Sequence, residues 1–163
     1  MMTKYSGECY CGCVKFYCNG EPFFTQYCHC NKCREVASLS KRDTDKIGYA
    51  WTAGYLTSRF NMTSGVDNLD ANIKNNSKLL LCKSCHSLIY GISLDPTKQA
   101  GIGINANNFH FAHSIPASFK PVRHIWYVNR MIDFNDDLPK FKNTPKEQFG
   151  SGELWCEGAG LKK

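Results

Sequence analysis

Seven cysteines in three tight groups constrain this chain more than any other feature: Cys9-Tyr10-Cys11, Cys28-His29-Cys30-Asn31-Lys32-Cys33 and Cys82-Lys83-Ser84-Cys85. Sulfurs one or two residues apart are awkward disulfide partners but good chelates. Thiolates are soft ligands and favour zinc over magnesium or calcium. Ten cysteines in 163 residues fit either a disulfide-stapled secreted domain or a reduced metalloprotein, and the spacing selects the second. The first eight residues hold no apolar run of the signal-peptide kind, and no stretch is long and apolar enough to span a membrane. A cytoplasmic, reducing compartment follows as the expectation.

The groups sort into two sites. Cys9, Cys11, Cys82 and Cys85 can close an all-cysteine tetrahedron, a structural zinc site that clips the N-terminal ribbon to the middle of the chain and adds folding free energy directly. Cys28, Cys30 and Cys33 then remain as a trio, and three protein ligands leave a fourth zinc position open, as in a catalytic-type site. A competing pairing joins Cys30 and Cys33 to Cys82 and Cys85 as an ordinary zinc ribbon, leaving Cys9, Cys11 and Cys28 unexplained. The trio also closes if His29, another histidine or Cys156 supplies a fourth ligand. His29, lying between two ligands, is expected to point its ring away from their metal. Cys13 and Cys18 read as small buried hydrophobes, and Cys13 is an alternative ligand to Cys9 or Cys11.

The formal charge of +6 invites a nucleic-acid reading. Seven thiolates on two zinc ions change it by −7 + 4 = −3, to +3, an ordinary value. Lys41-Arg42 and the scattered Lys140, Lys142, Lys146, Lys162 and Lys163 form no continuous stripe interleaved with aromatics, so no nucleic-acid partner is expected. His110 and His113 read as polar loop residues, and His124 as a structural histidine at the start of an apolar strand.

The class is mostly β: a single domain over 1–149 with a loose tail over 150–163, onto which Leu154 and Trp155 can fold back. Residues 8–18 alternate like a strand pair, and Asn19-Gly20 signals a hairpin. Phe23 to Tyr27 runs as a strand into the trio, and residues 34–39 suit one helical turn. Further strands are expected at 47–53, 58–62, 78–82, 88–92, 101–105 and 123–128, with 67–70 and 73–77 as loops. Asp136-Asp137-Leu138-Pro139 reads as a capping turn.

Gly7-Glu8-Cys9-Tyr10-Cys11-Gly12, Val14-Lys15-Phe16, the trio, the Cys82–Cys85 knuckle, His124-Ile125-Trp126 and Asp136 to Phe141 together resemble the family of glutathione-dependent formaldehyde-activating enzymes and centromere protein V, over about residues 5–141. The resemblance implies a β-tent, several short coiled antiparallel sheets built around zinc. It implies a structural zinc on Cys9, Cys11, Cys82 and Cys85, and a catalytic-type zinc on Cys28, Cys30 and Cys33. It also implies a carbon–sulfur lyase-type reaction of glutathione or another small thiol with formaldehyde or another small aldehyde, with His29 or His124 as proton carriers. The alternatives are a family enzyme with a different thiol adduct or carbonyl substrate, and a non-catalytic zinc module that binds a partner. Three departures stand out: Cys13 where the family usually has alanine, His86 where a glycine usually follows the knuckle, and a loop over Ser40–Lys46 more charged than the family pattern.

Overall fold

In the computed structural model, which describes residues 2–155, ten strands form two sheets. The smaller sheet runs β1 (Lys4–Glu8), β2 (Lys15–Asn19), β5 (Phe60–Ser64), all antiparallel. The larger has seven strands, in the order β10 (His124–Ile125), β3 (Phe24–Cys28), β4 (Ala50–Leu56), β9 (Gly101–Asn105), β8 (Leu88–Ser93), β7 (Ser77–Cys82), β6 (Leu69–Lys74). Only the β10–β3 pair is parallel. One helix, α1 (Asn31–Ala37), grows out of the trio itself. The mostly β class is thus observed, with fewer and larger sheets than the resemblance implies. Among the described residues no helix is long and apolar enough to cross a membrane.

Alternation along the strands decides what each face holds. On β4 and β9, Ala53, Tyr55, Ile102 and Ile104 point into the main core, where they meet Val14 just before β2, Phe16 and Cys18 of the smaller sheet, and the loop residues Phe109 and Phe119. Tyr55, Phe16 and Phe119 are almost wholly buried, each contributing roughly 1.5–3 kcal/mol by area. The opposite face of the large sheet carries Gln26, Cys28, Ala50, Thr52, Gly103 and Asn105, with Gly91 alongside. Gly54, Gly103 and Gly91 lie in one cross-strand row. The Phe24 ring covers Gly54, at 2.4 Å from where a Cβ would sit; at Gly91 and Gly103 a Cβ would meet Leu79 at 2.8 Å and Thr52 at 3.0 Å, and both glycines line the cavity on this face.

Several local expectations change. The strands flank Cys9–Val14 rather than running through it, because Gly12 at φ 80° turns the chain between β1 and β2. Gly20 (φ 78°) is a corner between the two sheets and not a hairpin tip, since β2 and β3 belong to different sheets. The expected loops at 67–70 and 73–77 are the start and the tip of a hairpin: β6 pairs β7 through Asn75-Asn76, both at positive φ (46° and 62°). Asparagine tolerates that conformation better than most residues. The expected strand 123–128 is cut to two residues because Trp126 turns left-handed at φ 54°. Leu154 does fold back, bridging Phe141, and Trp155 packs its ring against Tyr127.

Candidate metal centres and the cavity beside them

Cys9 and Cys11 leave β1 in the turn that precedes β2, and Cys82 ends β7 at the knuckle that leads to β8. These segments are 71 residues apart in sequence at Cys11 and Cys82, yet the four sulfurs of Cys9, Cys11, Cys82 and Cys85 all lie within 4.8 Å of one another. Cys9 and Cys11 are 3.6 Å apart and Cys11 and Cys82 3.7 Å. A tetrahedral zinc with bonds of about 2.3 Å sets sulfur–sulfur edges of about 3.8 Å, so the donor set fits that ion; a disulfide, at about 2.05 Å, it does not fit. N–H groups support the sulfurs from outside: Val14 N donates to Cys9 Sγ at 3.3 Å and Asn68 Nδ2 to Cys82 Sγ at 3.2 Å. Burial pushes the Cys85 thiol up, but hydrogen bonds from Ser87 and from neighbouring groups outweigh it and draw it down to about 6. The knuckle closes through His86, whose N–H donates to Cys82 O at 2.8 Å while its backbone sits at φ 60°. That left-handed conformation is what a glycine would take without strain.

The second cluster is local. β3 delivers Cys28, the chain turns, and Cys30 caps α1 by accepting from Cys33 N at 3.3 Å. β10 braces the turn, with His29 N donating to Ile125 O at 3.0 Å. The sulfurs of Cys28, Cys30 and Cys33 lie within 4.8 Å of one another, Cys28 and Cys33 at 3.7 Å, the same edge as before. Among the described residues no histidine, cysteine or carboxylate joins them; Cys156 lies outside the described residues. The Cys28 and Cys33 thiols hydrogen-bond to Cys30 and draw its thiol well below its ordinary value, while Cys28 is pushed up. All nine described cysteines are free of disulfides. The competing pairing of Cys30 and Cys33 with the knuckle is not what the fold brings together.

The trio opens onto a cavity of about 200 Å³ in the hollow face of the large sheet. Leu79, Leu88, Ile92, Ile125 and Trp126 form apolar walls, and Gln26, Thr52 and Asn105 make a polar one. Lys32, inside the trio's own turn, reaches across to donate to Ser77 Oγ at 2.6 Å and, among the described residues, has no carboxylate partner. Neither Gln26 nor Lys32 is among the residues expected at the site. The spacing of Gln26, two residues before Cys28 on a strand, was the available signal.

His29 and His124 are brought together, but behind the trio. His29 Nε2 and His124 Nδ1 are 2.9 Å apart, and His124 Nε2 donates to Asp136 Oδ2 at 2.9 Å. The Asp136 carboxylate fixes both tautomers: with a proton on Nε2, His124 Nδ1 accepts from His29 Nε2–H. His29 Nδ1 is then a buried acceptor without a partner among the described residues. Both rings are fully buried among Tyr27, Tyr49, Tyr127 and Phe134, and neither lines the cavity. Burial pulls His29 down to about 4 and holds His124 below its ordinary value despite Asp136. The proton-carrier expectation therefore has no direct path to the cavity, and Asp136 is more than a capping turn. His110 and His113 are exposed, Cys18 is buried as expected, and Cys13 is exposed rather than buried.

The family described as glutathione-dependent formaldehyde-activating enzyme matches residues 4–129, which take in all seven cysteines and His124 and stop short of Asp136. A crystal structure of a Rhodobacter sphaeroides protein, a structural-genomics target, is similar with a TM-score of 0.50 at 18% identity, over 73% of this chain and 98% of that one. Likeness at that identity bears on the fold alone. No curated protein matches the chain.

Proposed function

The chain belongs to the family of glutathione-dependent formaldehyde-activating enzymes, and on that premise we propose that it is a zinc-dependent carbon–sulfur lyase-type enzyme acting on a small thiol and a small aldehyde. Glutathione and formaldehyde, giving S-(hydroxymethyl)glutathione, are the reference pair. In the joining direction a sulfur–carbon bond forms, the carbonyl π bond opens, and the thiol proton ends on the oxygen. Nothing is oxidised or reduced.

One observation carries this reading. Three sulfurs form part of the wall of a cavity, and among the described residues no fourth side chain closes the set. Cys28, Cys30 and Cys33 would hold a zinc, which would supply the Lewis acidity that keeps a substrate thiol deprotonated. The protein does the rest by placement. The apolar walls exclude water, and confinement of both reactants replaces an encounter in solution, the larger part of the gain for so simple an addition. Lys32 offers an ammonium to an anionic thiol such as glutathione. Cys9, Cys11, Cys82 and Cys85 hold a second, structural zinc. A reducing cytoplasm suits thiols that must stay free.

The test is metal content per chain, with X-ray absorption at the zinc edge, before and after glutathione is added. Two zinc ions per chain are expected, with the mean sulfur count rising on addition. A single zinc in zinc-replete protein, or a count that ignores glutathione, overturns the reading.

A further inference from the structure

Gln26, in the polar wall of the cavity, has no task in the joining of thiol and aldehyde. Gln26 and Cys28 are two apart on β3, so both side chains leave the same face of the sheet and both line the cavity. Gln26 is only 4% exposed. Its carboxamide oxygen accepts from Arg123 Nε at 2.9 Å. A guanidinium can only donate, so the oxygen is the end that faces Arg123 and the NH₂ is turned away from it. Among the described residues nothing accepts from that nitrogen, and it is not among the buried atoms lacking a partner; it opens on the cavity.

Arg123 is itself held from two further sides. Its guanidinium lies over the Phe24 ring at 4.8 Å and pairs with Glu147 at 3.3 Å. The orientation of Gln26 is thereby fixed before any ligand arrives. The neighbouring amide is not free in the same way: Asn105 Nδ2 donates to Leu88 O at 3.0 Å and Asp45 Oδ1 at 3.2 Å, and its Oδ1 accepts from Asn107 N at 3.2 Å.

We infer that Gln26 is the residue that recognises the substrate's oxygen, its N–H donating to the aldehyde carbonyl and, in the adduct, to the hydroxyl oxygen; Arg123 is a positioning residue acting through it. This rests on the thiol–aldehyde reading above. As the sulfur–carbon bond forms, the π pair moves onto oxygen, which carries negative charge until it takes the proton released by the thiol. A donor already aimed at that oxygen stabilises the charge without reorganising.

The experiment follows glutathione and ¹³C-formaldehyde exchange by NMR in the zinc-loaded protein, with zinc content and melting temperature measured on each variant. Gln26→Leu should lower kcat/KM for the aldehyde by roughly 10- to 100-fold and leave the KM for glutathione within about twofold. Gln26→Glu keeps the shape, can pair with Arg123, and lacks the donor; it should lose the same, and it decides the matter if Gln26→Leu does not fold. Arg123→Met should show a smaller loss that Arg123→Lys, still a donor to Gln26, restores. Wild-type rates in Gln26→Glu, or a loss that falls on glutathione instead of the aldehyde, overturn the inference while the proposed function stands. A wild-type protein that does not speed the exchange removes both, and that failure is seen before any variant is made.

Discussion

The two sulfur clusters share donor chemistry and edge length but differ in where their ligands come from. Cys9, Cys82 and Cys85 are at most 2% exposed and belong to the main core between the sheets. Their cluster joins segments some 70 residues apart, so a metal there closes a long loop, where a cross-link stabilises most. Cys28, Cys30 and Cys33 come from six consecutive residues and pack in a small cluster of their own with Ile125. A metal there ties almost nothing distant together. The same ligand type can thus serve stability at one place and chemistry at another, and chain separation distinguishes the two.

Exchanging the damage between clusters tests that comparison at its largest. Cys82→Ser should lower the melting temperature by roughly 10 °C or more, since losing even part of a structural zinc site removes several kcal/mol from a domain of this size. Cys30→Ser should shift melting by less than about 3 °C and still abolish exchange between thiol and aldehyde. Thermal melts and metal analysis on both proteins are sufficient. Equal destabilisation would erase the distinction drawn from chain separation.

Much of this was legible in the sequence because chelate spacing is a local property. Cys28-His29-Cys30-Asn31-Lys32-Cys33 can be read without knowing the fold, and the alternation that marks β9 at Gly101–Asn105 is equally local. What was not legible depended on which strands become neighbours. Residues 67–70 and 73–77 read as polar loops because β6, which they overlap, is a sheet edge paired on one side only, with largely solvated side chains. Gln26 gains its meaning from Arg123, 97 residues away. His29 and His124 were each visible singly, but a parallel pair of two residues, β10 on β3, is what stacks them. No periodicity announces a contact of that kind.

The histidine pair sharpens the comparison at an intermediate level, since it is a buried side-chain tie between the trio's turn and the closing segment. His124→Phe keeps the ring packing against Phe134 but leaves the His29 donor without its partner, while Asp136 keeps Lys140. A buried donor so exposed costs about 1–3 kcal/mol, a fall of roughly 3–10 °C. The pH dependence has a definite sign. Burial depresses the folded-state value of His124, so on acidification the unfolded chain takes the proton first. Stability contributed by the neutral ring is present above about pH 6.5 and is lost as pH falls through that value. His124→Phe should therefore flatten the decline in melting temperature between pH 7 and pH 5. An unchanged slope would mean that His124 is not the group held neutral.

The smallest effect concerns the closed cluster's own strain. His86 holds φ at 60° one residue beyond Cys85, within the backbone turn that shapes the knuckle. A side chain in that region costs about 1–2 kcal/mol, and glycine removes the clash while adding chain entropy to the unfolded state. The net gain for His86→Gly is about 0.5–1 kcal/mol, or roughly 1–4 °C, with exchange activity unchanged because the trio lies elsewhere. The strain is tolerated because four sulfurs gathered at one point over-determine the turn. It follows that the gain should shrink when zinc is withheld and the turn is free to relax. Melts of both proteins with and without a chelator measure this; a gain that is the same in both would show that the metal does not carry the strain.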